Sequence, residues 1–218
     1  MNRAEIRQVF RDGNPDLPVR VLSDTVLNNW CLLADQEICA ETRCIVTNES
    51  VTFDSVASAW YYDLSSLVTN FYEIDDFPGG GVYYNDDPLE KITPGRMNTI
   101  DSTWKSRSNG TPTRYWRRGQ YLWLDRPTEA DVEMAVDAYL YPDDFDSDEK
   151  TPYDGLTHLV PFHEAIVRYL EWRAKQKIND PEASAIAYAN YISYRREMKK
   201  KVRGYQQGHT QMRIRSYV

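Results

Sequence analysis

Asp144, Asp146 and Asp148 alternate in an acidic stretch, a spacing at which carboxylates can converge on a hard cation such as calcium. In such a loop the sixth position, Glu149, should be the glycine of a sharp turn, and the twelfth, Gly155, should be a bidentate Glu. The stretch therefore reads as a solvated acidic loop. Gly79, Gly80 and Gly81 resemble a phosphate cradle, yet no Lys-Ser/Thr pair follows and no helical pattern begins there, so they read as a β-turn. His158, His163 and Glu164 could be ligands or an acid–base pair. However, His163 and Glu164 are adjacent on a helical pattern and their side chains diverge by about 100°. Helix-start packing and capping account for them better. There is no Gly-x-Ser-x-Gly, no HExxH and no nucleophile beside an orienting base, so no catalytic residue, metal site or cofactor is expected. Cys31, Cys39 and Cys44 form no CxxC pair and read as buried free thiols.

Charge is the remaining chemistry. The 218 residues hold 26 Lys and Arg against 33 Asp and Glu, a net charge of −7 that conceals a split. Residues 1–162 carry 14 basic and 28 acidic side chains, and residues 163–218 carry 12 basic and 5 acidic. Arg195, Arg196, Lys199, Lys200, Lys201 and Arg203 crowd what reads as the end of a helix, where cations complement the negative end of the macrodipole. The same cluster could contact nucleic-acid phosphates or dock on an acidic protein surface. The acidic remainder would repel a duplex, which favours protein docking. After Met212 the sequence alternates through Arg213, Ile214, Arg215, Ser216, Tyr217 and Val218, as in a segment that adds to a sheet edge or enters a groove.

The elements that must position these residues follow from periodicity. Residues 3–11 form a short amphipathic pattern with Ile6, Val9 and Phe10 on one side, stopped by Asp12, Gly13, Asn14 and Pro15. Ser23 is placed to cap a longer helix through about Cys44, whose stripe is Leu27, Trp30, Leu33, Ala34, Ile38 and Cys39. From Val46 the period becomes two. Strands are expected at 50–54, 60–64, 71–74 and 82–84, a hairpin around Gly119, and one long alternating strand at 132–141. Residues 94–105 are expected to hold a helical turn with Met97, Ile100 and Trp104 on one side. Helical periodicity returns at Pro161 with Phe162, Ile166, Tyr169, Leu170, Arg173, Ala174 and Ile178. Asp180 and Pro181 then open a last helix with the stripe Ala183, Ala187, Tyr191, Tyr194, Met198 and Val202, which Gly204 is expected to end.

The fold class expected is α+β, mainly helical: a small antiparallel helix bundle with an inserted β-rich lobe and an extended C-terminal tail. The bundle would be residues 1–45 and 157–204, the lobe with its acidic loop 46–156, and the tail 205–218. Its core would comprise Leu27, Trp30, Ala34, Ile38, Phe162, Ile166, Leu170, Tyr191 and Tyr194. No stretch approaches a membrane span and the first residues lack the apolar core of a signal peptide, which points to a cytoplasm-like compartment.

Leu22, Ser23 and Asp24, followed by Leu27, Trp30, Ala34, Glu37 and Ile38, resemble the opening helix of the head-to-tail adaptor (connector) proteins of tailed bacteriophages. Pro161 to Ile166 with Tyr169, Arg173 and Ala174 is similar to that family's helix after the β insertion, and Trp123, Leu124, Asp125, Arg126 and Pro127 to its apolar-acidic-Pro strand. The resemblance spans most of residues 3–203, with a β insertion longer than in the simplest members. It implies a non-enzymatic structural protein of the virion neck, assembled in the host cytoplasm as a homo-oligomeric ring, usually of twelve copies, beneath the portal protein. Such a ring extends the channel for double-stranded DNA without sequence recognition and carries the tail or further neck proteins. The resemblance also implies portal docking by the C-terminal segment, here Arg203, Tyr205, Met212, Arg213, Ile214, Arg215 and Tyr217.

Two other classes compete. One is a cytoplasmic nucleic-acid-binding regulator using the basic end of the last helix. The other is an enzyme with carbohydrate or metal chemistry in the aromatic β module, supported only by Tyr and Trp content.

Overall fold

The computed structural model describes the backbone of residues 1–17, 20–75 and 80–215, and side chains within those ranges as far as residue 205. In chain order the elements are α1 (Arg3–Gly13), α2 (Asp24–Thr42), β1 (Val51–Asp54), β2 (Tyr61–Asp63), α3 (Leu64–Leu67), β3 (Phe71–Ile74), β4 (Val82–Tyr84), β5 (Asp87–Pro88) and β6 (Glu90–Lys91). Then follow α4 (Pro94–Ile100), β7 (Arg114–Arg118), β8 (Tyr121–Leu124), β9 (Glu133–Val136), β10 (Ala138–Leu140), α5 (Glu164–Lys177) and α6 (Pro181–Arg215). The protein is thus of the α+β class. Its residue contacts divide it into two units, Met1–Ile45 with Tyr141–Val218, and Val46–Leu140.

In the helical unit, α1 begins with a reciprocal cap: Asn2 Oδ1 accepts from the Glu5 N–H at 2.9 Å, and Glu5 Oε2 accepts from the Asn2 N–H at 2.9 Å. Ile6 and Phe10 are buried, whereas Val9 is exposed. The Ser23 side chain makes no capping bond to α2, which ends at Thr42 because Arg43 turns left-handed at φ 56° and its N–H returns to the Cys39 carbonyl at 2.8 Å. A short 3₁₀ segment, Thr157–Phe162, contains Pro161, so α5 starts later than periodicity suggests, at Glu164. Helix α6 starts where Asp180 Oδ1 accepts from the Ala183 N–H at 3.0 Å and Pro181 occupies the first position. Helix α5 packs along α6, and both contact α2.

Two expectations fail here. Gly204 does not end α6, and the segment expected to be extended from residue 205 is helical to Arg215. A single interior glycine costs only about 1 kcal/mol relative to Ala, and no proline follows Pro181 to break the ladder. Residues 141–156, expected in the lobe, belong to the helical unit. They are tied to α1 by backbone bonds from Arg3 N–H to Lys150 O at 3.0 Å and from Ala4 N–H to Asp148 O at 3.3 Å.

The β unit holds a four-stranded sheet β1-β9-β4-β5, a second four-stranded sheet β2-β8-β7-β6, and the pair β10-β3. Its main core joins Tyr62, Leu64, Ile74, Val82, Tyr84, Tyr115, Leu122, Leu124, Met134 and Val136. The β7–β8 hairpin turns at Gly119, whose φ of 62° is costly for any residue with a Cβ. The alternating segment expected as one strand breaks at Asp137: β9 pairs with β1 and β4, while β10 leaves to pair with β3. The phase also flips, so Tyr139 is buried and Leu140 only half-buried. Met97 and Trp104 form a second small core with Ile92 and Trp116, while Ile100, expected beside them, is exposed.

Candidate assembly surfaces

Among the residues expected to form the bundle core, Leu27, Ala34, Ile38, Ile166, Leu170 and Tyr191 are fully buried, and Trp30, Phe162 and Tyr194 are half-buried. Trp30 is capped by cations from α5: Arg173 lies 5.9 Å and Lys177 5.7 Å from its ring centroid. Glu37 anchors α6 to α2, with one carboxylate oxygen accepting from the Tyr191 hydroxyl at 2.8 Å and from Arg195 at 3.1 Å. Trp172 stacks on Tyr191, centroids 6.0 Å apart. These contacts set the direction of α6 and hence which of its faces meets solvent.

The acidic loop is held by arginines of α1. Arg3 donates to the Phe145 carbonyl at 2.9 Å and to Asp148 at 3.0 Å, and Arg7 donates to both Asp148 oxygens at 2.6 and 2.8 Å. Hydrogen bonds from Arg7 and then Arg3 hold the Asp148 carboxyl down at about 2. Lys150 pairs with Asp146 at 2.9 Å. Two of the three alternating carboxylates are thus neutralised by the protein's own cations. Among the described residues no cluster of His, Cys, Asp and Glu could hold a metal ion.

Beneath the loop lies a polar site that periodicity does not reveal. Asp35 sits on the buried face of α2, 1% exposed, and accepts from the Tyr153 N–H at 3.0 Å. Burial pushes its carboxyl up to about 7. The three thiols are free and buried, with the Cys44 and Cys39 sulfurs 3.5 Å apart. His163 is 1% exposed, its ring lies tilted against Tyr153 with centroids 5.8 Å apart, and burial lowers its imidazole to about 4. Its place just before α5 is a packing position.

In the β unit, Asp125 is the buried hub. It accepts from the Thr113 and Arg114 N–H groups at 2.9 and 3.1 Å and from Arg107 at 2.6 Å, and Arg107 also reaches Asp101 at 2.7 Å. This is the acidic residue of the Trp123–Pro127 stretch. On the outer side of the same hairpin Tyr61 meets Trp123 at 4.8 Å and Tyr121 at 5.6 Å.

Of the residues expected at the C-terminal docking surface, Arg203 and Tyr205 are exposed, and the Tyr205 ring meets His158 edge-on at 5.0 Å. The backbones of Met212, Arg213, Ile214 and Arg215 lie in α6, their side chains lie outside the described residues, and Tyr217 lies wholly outside them. Gly79 of the glycine run is also outside. Because α6 continues past Arg203, the six cations from Arg195 to Arg203 are interior to the helix. The macrodipole acts only within the last turn and cannot account for them.

No described helix is long and apolar enough to cross a membrane. Among curated proteins no match is found. The sequence profile described as SU10 adaptor protein matches residues 1–215. With buried side chains explained by packing, two of the three alternating loop carboxylates held in internal ion pairs and nearly the whole length matched, the chain belongs to the SU10 adaptor protein family, a family of phage head-to-tail adaptors.

Proposed function

We propose that this protein forms a homo-oligomeric ring, of twelve copies, beneath the portal protein, extending the channel through which encapsidated double-stranded DNA passes and offering the platform for tail or further neck proteins. Family membership makes it a structural phage adaptor, a component of the virion's head-tail connector that interacts with portal and tail proteins. The match over residues 1–215 is the observation that carries the reading, because it takes in both units and the length of α6. Assembly takes place in the host cytoplasm and the mature position is the neck. The helical unit is the assembly bundle and the β unit is an insertion within it. The segment from Arg203 onward, with Tyr205, Met212, Arg213, Ile214, Arg215 and Tyr217, docks on the portal, and part of the acidic surplus faces the lumen so that DNA slides without adhering.

The test is negative-stain electron microscopy of the purified chain with the portal of the same phage. The full chain is expected to give rings on the portal. A chain lacking residues 206–218 is expected to keep its helical circular dichroism, since Tyr191, Met198 and Val202 are retained, and to lose portal binding. Absence of any ring or portal complex from the full chain would sink the reading. A tight, salt-sensitive shift of duplex DNA by the chain alone would replace it with the nucleic-acid regulator.

A further inference from the structure

The cations of α6 do not share one role. Arg195 faces inward and pairs with Glu37. Arg196, Lys200 and Arg203, all exposed, lie, at about 100° per residue, on the stripe opposite Tyr191, Met198 and Val202, the residues α6 buries. None of the three has a hydrogen-bond or ion-pair partner among the described residues. They form a positive ridge about 10 Å long, at 1.5 Å rise per residue.

The complement stands in the β unit. Asp54 of β1 and Glu133 of β9 are direct cross-strand partners, both exposed, on the sheet face turned away from Phe53 and Met134. Like charges placed opposite each other destabilise a strand pair. Asp86, also exposed, belongs to the turn after β4, where Asn85 and Asp86 both have positive φ and Asn85 N–H bonds the Glu133 carbonyl at 2.8 Å. No cation among the described residues meets Asp54, Asp86 or Glu133, although Arg107, Arg114 and Arg117 of the same unit are engaged by Asp101 and Asp125, by Glu90 and by main-chain carbonyls. The unit holds 15 acidic and 8 basic residues, so it carries a net charge of −7. At about 4.8 Å between strands, β1, β9 and β4 span about 10 Å, the length of the ridge.

Resting on the ring reading above, we infer that the outer face of α6 in one copy docks on the Asp54–Glu133 face of the β unit in the next copy. Each copy carries both surfaces in equal number, the partner supplies the missing countercharges on both sides, and a contact between two different surfaces is head-to-tail, the kind that closes into rings. A DNA duplex would satisfy the ridge but leave the Asp54–Glu133 repulsion unrelieved, which is why a second copy is the occupant.

Two charge-reversed proteins test this, Arg196→Glu/Lys200→Glu and Asp54→Lys/Glu133→Lys. All four positions are exposed, so circular dichroism and melting should stay close to the parent. With the portal of the same phage, each variant alone should lose ring yield by at least about tenfold, and an equimolar mixture should recover it, because the reversed helix of one then meets the reversed lobe of the other. Rings formed normally by each variant alone would overturn this contact and leave the ring reading standing. Recovery only when all four changes share one chain would place the contact within a copy and overturn it too. Loss of duplex shift at low salt with ring yield unchanged would assign the ridge to nucleic acid. No ring from the parent chain would remove the ring reading and this contact together.

Discussion

Arg3 and Asp148 meet across 145 positions of sequence, with Nη2 3.0 Å from Oδ1, and the same guanidinium donates to the Phe145 carbonyl. This contact draws the acidic loop onto α1 and, with Arg7, neutralises its Asp148 carboxylate from within. It also places residues 141–156 with the helices, where an inserted lobe would have claimed them.

Removing Arg3 should loosen that loop. Arg3→Ala leaves a buried carbonyl unpaired and is expected to cost about 1–3 kcal/mol in urea unfolding. The Asp148 carboxyl is held at about 2 against an ordinary 3.8, so its contribution is complete above about pH 4 and is lost as pH falls from 4 towards 2. Because Arg7 is the larger cause of this shift, Arg3→Ala should flatten the acid fall only in part and Arg3→Ala/Arg7→Ala should flatten it further; stability of the double variant that falls as steeply as the parent's would count against the pairing.

Asp35 should act in the opposite sense. Its carboxyl is raised to about 7 by burial, so the folded state binds its proton more tightly than the unfolded chain does. Stability should therefore decline as pH rises from about 4 to 7 and level off above. Asp35→Asn keeps an oxygen for the Tyr153 N–H, should flatten this decline, and should gain up to about 4 kcal/mol at pH 8. Urea titrations of both proteins at pH 5 and 8 give the answer, and parallel slopes would refute it.

Asp125→Ala should be the most damaging change in the β unit. It strands two backbone N–H groups and removes one of the two carboxylates that hold Arg107, leaving it Asp101 alone, at an expected cost of about 3–5 kcal/mol. Trp104 and Trp116 belong to a small core of the same unit, close in sequence to Arg107 and Arg114, so their fluorescence should report unfolding at lower urea. A midpoint equal to that of the parent would show that the hub is dispensable.

Much of the architecture is legible in the residues themselves. The apolar stripes of α2, α5 and α6, the Asp180–Pro181 helix start and the Gly119 hairpin all depend on interactions within a few residues, which periodicity and turn chemistry record directly. The misplaced features depend on partners distant in sequence. Residues 132–141 alternate like one strand, yet the chain changes sheet at Asp137 because β1 and β4 take one half and β3 the other. Gly204 looks like a stop, but the helix continues through it.

The surfaces show the same division. Sequence alone determined that charge is segregated, that aromatic side chains are ample for a core, and that the helical patterns match an adaptor, because composition and short-range spacing need no partner to be read. Only the tertiary structure decided which charges are spent. Arg3, Arg7 and Arg195 turn inward to Asp148 and Glu37, while Arg196, Lys200, Asp54 and Glu133 stay unpaired. An ion pair forms where folding brings its two ends together, and that distance is a property of the folded chain that its linear order does not contain.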